Sequence, residues 1–233
     1  MTIRGKLYAA IVLTVLGPVA TTAVALHGMG ELGDRFDQVQ RQADAEALAR
    51  ELKFRVTDVN GWQTAYGYAG DDVAKRDEMR RTYLRAEREL AEELEVASSE
   101  LTDPREQELL SQLEREFERF KRLDAIAWRA LRDGDAQRTR QIFLGPEIAH
   151  FEAMAAIAEE LAVYADERAA ATDAEFDDAR DDARRRLIAV ALGAGIVIVL
   201  LLFTAADIAR MALEGERSVR GRRSRESRSG GDE

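Results

Sequence analysis

The chain has 233 residues, enough for one domain of ordinary size or two small ones. It carries 34 basic and 44 acidic residues, a formal net charge of −10, and it contains no cysteine. Without cysteine, disulfide frameworks, zinc–thiolate sites, iron–sulfur clusters and thiol nucleophiles are excluded. With two histidines, a histidine-based catalytic triad is not expected. The acidic balance also argues against a nucleic-acid partner, because a phosphate backbone requires a positive surface.

Two uncharged apolar stretches, residues 7–26 and 187–206, divide the chain. A helix of about 20 residues rises about 1.5 Å per residue and matches a hydrocarbon core of roughly 30 Å. We therefore predict two transmembrane helices. Residues 7–26 also permit a second interpretation, a cleaved signal peptide with a basic start at Arg4 and Lys6. The length of this apolar run favours a retained membrane anchor.

Basic residues flank both stretches on the sides that would remain in the cytoplasm. The second stretch is followed by seven of them: Arg210, Arg217, Arg220, Arg222, Arg223, Arg225 and Arg228. The three arginines at 184–186 lie on the opposite side, but long translocated domains largely escape the rule. We predict a two-pass plasma-membrane protein with both termini, residues 1–6 and 207–233, in the cytoplasm.

The tail at residues 207–233 is rich in arginine, serine and glycine, and this composition predicts disorder. Two roles for its arginines remain open. They can act as a topology signal alone, or they can attract anionic membrane lipids.

The segment between the two stretches, residues 27–186, is expected to lie outside the cytoplasm and to be helical. Apolar side chains recur at helical spacing, predicting helices over residues 31–68 and 72–101. A third helix begins after the start signal Thr102-Asp103-Pro104, and a fourth begins near Ala136, is interrupted at Gly145-Pro146 and continues into the second apolar stretch. Short connections make neighbouring long helices antiparallel. The predicted fold is all-α: a membrane-anchored, antiparallel up-down-up-down four-helix bundle with two transmembrane helices.

Residues 58–66 read Asp-Val-Asn-Gly-Trp-Gln-Thr-Ala-Tyr, and turns are predicted near residues 101–104 and 134–135. With the two apolar stretches, these features resemble the amino-terminal sensory half of actinobacterial methyl-accepting chemotaxis receptors, over about residues 1–207. The resemblance implies signal transduction, in which a small extracellular ligand binds the bundle and a helix displacement crosses the membrane. It also implies a homodimer.

The chain departs from this family after residue 207, where family members continue into a HAMP linker and a signalling coiled coil. Signal output would therefore require a partner, such as a full-length chemoreceptor in a mixed dimer. The alternative interpretation is a truncated receptor remnant or a structural membrane protein without signalling output.

The candidate ligand-binding residues lie in the same string: Asp58, Asn60, Trp62, Gln63 and Tyr66. Polar groups at these positions would form the wall of a pocket between bundle helices, the usual place for such a site. In the other interpretation Trp62 and Tyr66, four residues apart, pack the bundle core or a dimer seam. Both interpretations stay open at this point.

Other candidate chemistry is weaker. Glu147 and His150 have the Glu-x-x-His spacing of di-iron bundles, but such sites need two copies of the motif and further glutamates. His27 is expected at the membrane interface and not as a haem ligand. Arg50 and Arg55 do not have the spacing of the aspartate-sensing receptors. We expect no cofactor, no metal and no enzymatic activity.

Overall fold

The structure is a computed structural model that describes residues 3–69 and 72–229, except for the side chains of residues 3–7, 9–11, 13, 208 and 211–229. The helices are α1 Ile3–Gly67, α2 Val73–Glu100, α3 Pro104–Arg132, α4 Ala136–Ile142 and α5 Ile148–Ser229. A π-helical turn, Phe143–Glu147, lies between α4 and α5. No strand occurs in the described residues, so the all-α prediction is confirmed.

Three aspartates fix where the helices begin. Asp72, Asp103 and Asp135 each precede a helix, and each side chain accepts a hydrogen bond from a backbone N–H of the first turn. These bonds satisfy donors that have no partner inside the helix. Pro104 follows Asp103 at the first helical position, where its missing N–H costs nothing. The start signal predicted at Thr102-Asp103-Pro104 is confirmed.

Glycine ends α3 as predicted. Gly134 has a φ of +78°, the left-handed conformation that ends many helices. The first helix, predicted to end at residue 68, ends at Gly67.

The chain forms two compact units, Arg35–Phe176 and a second unit of residues 1–34 with 177–233. The first unit has one apolar core, to which four helices contribute. Its largest side chains with less than 2% exposure are Tyr66, Tyr83, Phe117, Phe120, Leu52, Leu90, Leu101, Leu109, Leu110, Leu113, Met154 and Leu161.

Ion pairs join the helices of the Arg35–Phe176 unit in a consistent order. Arg55 of α1 pairs with Glu89 of α2 at 2.5 Å, and Arg80 of α2 pairs with Asp124 of α3 at 2.6 Å. On the side of α5, Arg168 pairs with Glu106 of α3 at 3.0 Å. The order along α1 and α2 is antiparallel, since Arg55 pairs with Glu89 and Tyr66 contacts Tyr83. The order along α3 and α5 is also antiparallel, since Glu106 pairs with Arg168 and Glu116 contacts His150.

The second unit contains the long apolar stretch of α5, residues 187–206. The helical segment Ala136–Asp207 includes an 18-residue window of mean hydropathy 2.9, none of it buried, which is long and apolar enough to cross a membrane. It is the one such segment in the searched, described part of the chain. The stretch predicted at residues 7–26 belongs to α1, but several of its side chains lie outside the described residues.

The tail differs from its prediction. Residues 207–229, expected to be disordered, belong to α5, which extends to Ser229. Arginine, glutamate, alanine and leucine are good helix formers, and they dominate the first part of the tail. Residues 230–233 lie outside the described residues.

Candidate functional site

A buried charge cluster lies on one side of the candidate site. The Arg80 guanidinium carbon lies 4.4, 5.0 and 5.1 Å from the ring centroids of Tyr83, Tyr66 and Trp128. Arg80 is 8% exposed and Asp124 is 1% exposed. A buried ion pair stabilises a protein only when other groups compensate for the lost hydration of its charges. Here the Asp124 carboxylate and the aromatic faces surround the Arg80 cation.

Tyr66 completes this cluster by donating its hydroxyl proton to Asp124 Oδ1. Burial raises the pKa of Tyr66, so the phenol keeps its proton and remains a donor. Arg80 and Tyr66 therefore occupy both Asp124 oxygens. The Arg80 and Asp124 charges are thus partnered within the chain, which fits a structural role.

Next to the cluster, a cavity of about 190 Å³ opens between three helices and the π-helical turn. Its wall comes from the end of α1, the middle of α3, the turn and the first residues of α5. The lining side chains are Asn60, Gln63, Thr64, Tyr68, Phe120, Phe143, Leu144, Glu147, Ile148 and Phe151. Tyr68 and Leu144 are exposed, at 74% and 59%, so the cavity is reached from the surface.

Glu147 is the carboxylic acid in the lining of this cavity. It is 1% exposed, and neither carboxylate oxygen accepts a hydrogen bond of good geometry. Burial, reinforced by the Asp124 charge, raises the pKa of Glu147 to about 8, and the Gln63 amide and Arg80 offset part of that rise. A buried carboxyl without a partner is costly, and such groups concentrate at functional sites.

The interruption of the helix before α5 brings Glu147 into the cavity. Gly145 has non-helical backbone angles, φ −117° and ψ −108°, and Pro146 has no backbone N–H to donate. The predicted interruption at these two residues is confirmed. Gly145 and Pro146 lie inside the turn, Glu147 is its last residue, and α5 begins at Ile148.

The five predicted site residues do not all line the cavity. Asn60 and Gln63 line the cavity. Tyr66 is fully buried in the Arg80 cluster, and Trp62 is half-buried and packs against the core. Asp58 is half-buried and is not part of the lining. The structure therefore brings two of the five to the cavity and gives Trp62 and Tyr66 packing positions.

Sequence reasoning missed Glu147 as a pocket residue, since it considered this residue only with His150. The His150 ring instead lies 2.6 Å from Glu116 of α3. No group of three or more metal-ligating side chains occurs in the searched residues. The signal that pointed to Glu147 was the Gly-Pro pair before it, which breaks a helix and turns the next residue out of helical register.

The two arginines considered for anionic ligands have partners within the chain. Arg50 pairs with Glu46 and Asp166, and Arg55 pairs with Glu51 and Glu89. Their charges are therefore engaged between helices.

No protein-family model, curated protein or solved structure matches the chain. The chemoreceptor resemblance therefore remains a prediction.

Proposed function

We propose that the protein is a chemoreceptor-like transmembrane sensor that binds a small extracellular ligand in the cavity beside Glu147. The observation that carries the proposal is a surface-accessible cavity containing a buried, unpartnered carboxyl group and two side-chain amides, Asn60 and Gln63. Ligand sites typically combine an apolar wall with a few polar groups in this way.

The position of the cavity supports signal transmission. A ligand in it would contact α1 through Asn60 and Gln63 and α5 through Ile148 and Phe151. Both helices include an apolar stretch predicted to span the membrane, residues 7–26 in α1 and 187–206 in α5. Binding would shift α5 relative to α1, because the ligand touches the two helices at once.

The proposed architecture is an antiparallel up-down-up-down four-helix bundle outside the cytoplasm, anchored by two transmembrane helices. The antiparallel order of the contacts between α1 and α2 and between α3 and α5 supports it. The proposed assembly is a homodimer, or a mixed dimer with a full-length chemoreceptor that supplies the output. Basic residues of the cytoplasmic tail would contact anionic lipids.

A ligand screen tests the proposal. The full chain in detergent micelles is heated with a panel of amines, amino acids, organic acids and sugars, because a ligand that binds only the folded state raises Tm. We expect at least one compound to raise Tm in the wild type and in Gln42→Ala, but not in Gln63→Ala. Gln42 lies on the same helix, about 30 Å away at 1.5 Å per residue.

The proposal is wrong if no compound raises Tm. It is also wrong if Gln63→Ala, still folded by circular dichroism, responds to each active compound as Gln42→Ala does.

A further inference from the structure

We propose that the ligand of this cavity is a small organic ammonium ion, held by Glu147 against the aromatic rings of the wall. This inference rests on the proposed function and specifies its ligand. The carboxyl group would accept hydrogen bonds from the ammonium, and the rings would contact its charge and its alkyl part.

The polar groups of the cavity are suited to a donor. Both oxygens of Glu147 are buried without a hydrogen-bond partner, and Asn60 and Gln63 each offer an amide oxygen. A primary ammonium carries three N–H donors and no acceptor. It therefore satisfies Glu147 and has donors left for an amide oxygen.

The apolar groups are suited to a cation. Phe120, Phe143, Phe151 and Tyr68 all line the cavity. Aromatic rings attract cations through their negative faces, most strongly where water is excluded. The chain already holds the Arg80 cation among three rings a short distance away, although that cation belongs to the protein.

The local charge balance points the same way. Arg80 on α2 and Asp124 on α3 pair with each other at 2.6 Å, so their charges offset. On α1, Gln63 and Tyr66 are neutral, which leaves Glu147 as the uncompensated charge when it ionises. An ammonium ion neutralises that charge, whereas an anionic ligand would add to it. The cavity volume of about 190 Å³ admits a small amine.

Proton release distinguishes a cation from a neutral ligand. The pKa of Glu147 is raised to about 8 in the empty cavity, so the group is mostly protonated at pH 7. An ammonium ion favours the ionised carboxylate and expels this proton. A neutral alcohol of the same size leaves the proton in place.

The test is calorimetric titration of the full chain in detergent micelles at pH 7, in two buffers of different ionisation enthalpy. The probes are n-butylammonium chloride, 1-butanol as its neutral counterpart and sodium butyrate as an anion. We expect saturable binding of n-butylammonium with release of most of one proton. Binding should be at least tenfold weaker for 1-butanol, and butyrate should not bind.

Two variants complete the test. Glu147→Gln should weaken n-butylammonium binding at least tenfold and abolish proton release. Glu167→Gln makes the same substitution at an exposed position of α5 outside the cavity lining, and its affinity should stay within twofold of the wild type. Circular dichroism confirms that both variants are folded.

The inference is overturned if 1-butanol binds as tightly as n-butylammonium, or if Glu147→Gln leaves the affinity unchanged. It is also overturned if n-butylammonium does not bind while a compound of another class raises Tm in a Gln63-dependent manner; the proposed sensor function then survives. Failure of every compound, the amines included, overturns both.

Discussion

Arg80 lies among three aromatic rings in the core and forms an ion pair with Asp124. Replacing Arg80 with methionine keeps most of the volume but leaves the Asp124 carboxylate buried with only the Tyr66 hydroxyl as partner. Removing one member of a buried pair typically costs about 3–5 kcal/mol. We expect Arg80→Met to lower the free energy of unfolding by about this amount, measured by chemical denaturation.

The control for Arg80 is Lys53→Met. Lys53 also pairs across helices, with Glu159, but both side chains are about half exposed, and exposed pairs contribute little to stability. Equal effects of the two substitutions would show that the Arg80 cluster is not a stabilising element of the core.

Glu147 gives a stability that depends on pH. Its pKa is raised from an ordinary value near 4.5 to about 8 in the folded chain, so the folded state binds the proton more tightly than the unfolded state. The contribution of Glu147 to the free energy of unfolding is then greatest below about pH 4.5, and it is lost as the pH rises through about 8. Glu147→Gln cannot ionise. Its stability relative to the wild type should rise by roughly 1.4 kcal/mol per pH unit between these values.

The measurement is thermal unfolding of both proteins at a series of pH values between 5 and 8. The difference between the two proteins cancels the titration of all other groups. Parallel curves over this range would contradict the raised pKa and the dry environment of Glu147.

At the residue level, sequence reasoning could place Asn60 and Gln63 on a pocket wall. The two residues lie three positions apart, on one face of a helix, beside apolar neighbours. It could not separate them from Trp62 and Tyr66, since the direction of each side chain depends on where α2 and α3 pack. Asp124 was not considered at all, because a single aspartate in a charge-rich helix carries no signal until Arg80 and Tyr66 are brought against it.

Among the elements, the end of α1 packs closely against the π-helical turn. A Cβ atom added at Gly67 would lie 2.6 Å from Cε2 of Phe143, a cavity residue, so the ring would have to move. We expect Gly67→Ala to destabilise the chain by about 1–3 kcal/mol, as overpacking usually does, and to weaken ligand binding. Thermal unfolding and the ligand titration measure the two effects.

Gly61 provides the matched control on the same helix. A Cβ atom there meets nothing within 4 Å, so only the gain in helix propensity remains. Gly61→Ala should stabilise the chain by about 0.5–1 kcal/mol. If Gly67→Ala also stabilises, Phe143 does not pack against α1 as described.

The helices were predictable because their signals are local. Asp72, Asp103 and Asp135 cap the helices that they precede. Gly145 and Pro146 interrupt the helix at the predicted position. The geometry of that break was not predictable. It depends on how Phe143 and Glu147 pack against other helices, and periodicity along the chain does not report this packing.

For the whole molecule, the basic flanks of the two apolar stretches predict that both termini are cytoplasmic. Reporter fusions at the C-terminus and in the connection at Asp103 should therefore report opposite sides of the membrane. Fusions that report the same side would exclude the two-pass topology. A mature chain lacking residues 1–25 would instead show that the first stretch is a cleaved signal peptide.

The pairing of α1 with α5 has a consequence for biosynthesis. Arg50 bonds to Asp166, a residue 116 positions later, and the buried face of α1 at Leu52 and Val56 belongs to the same core as Leu161. During translation at about 5–20 residues per second, this face of α1 stays uncovered for roughly 5–20 seconds. A nascent chain that stops before Leu161 therefore exposes apolar surface that a chaperone or a protease can recognise.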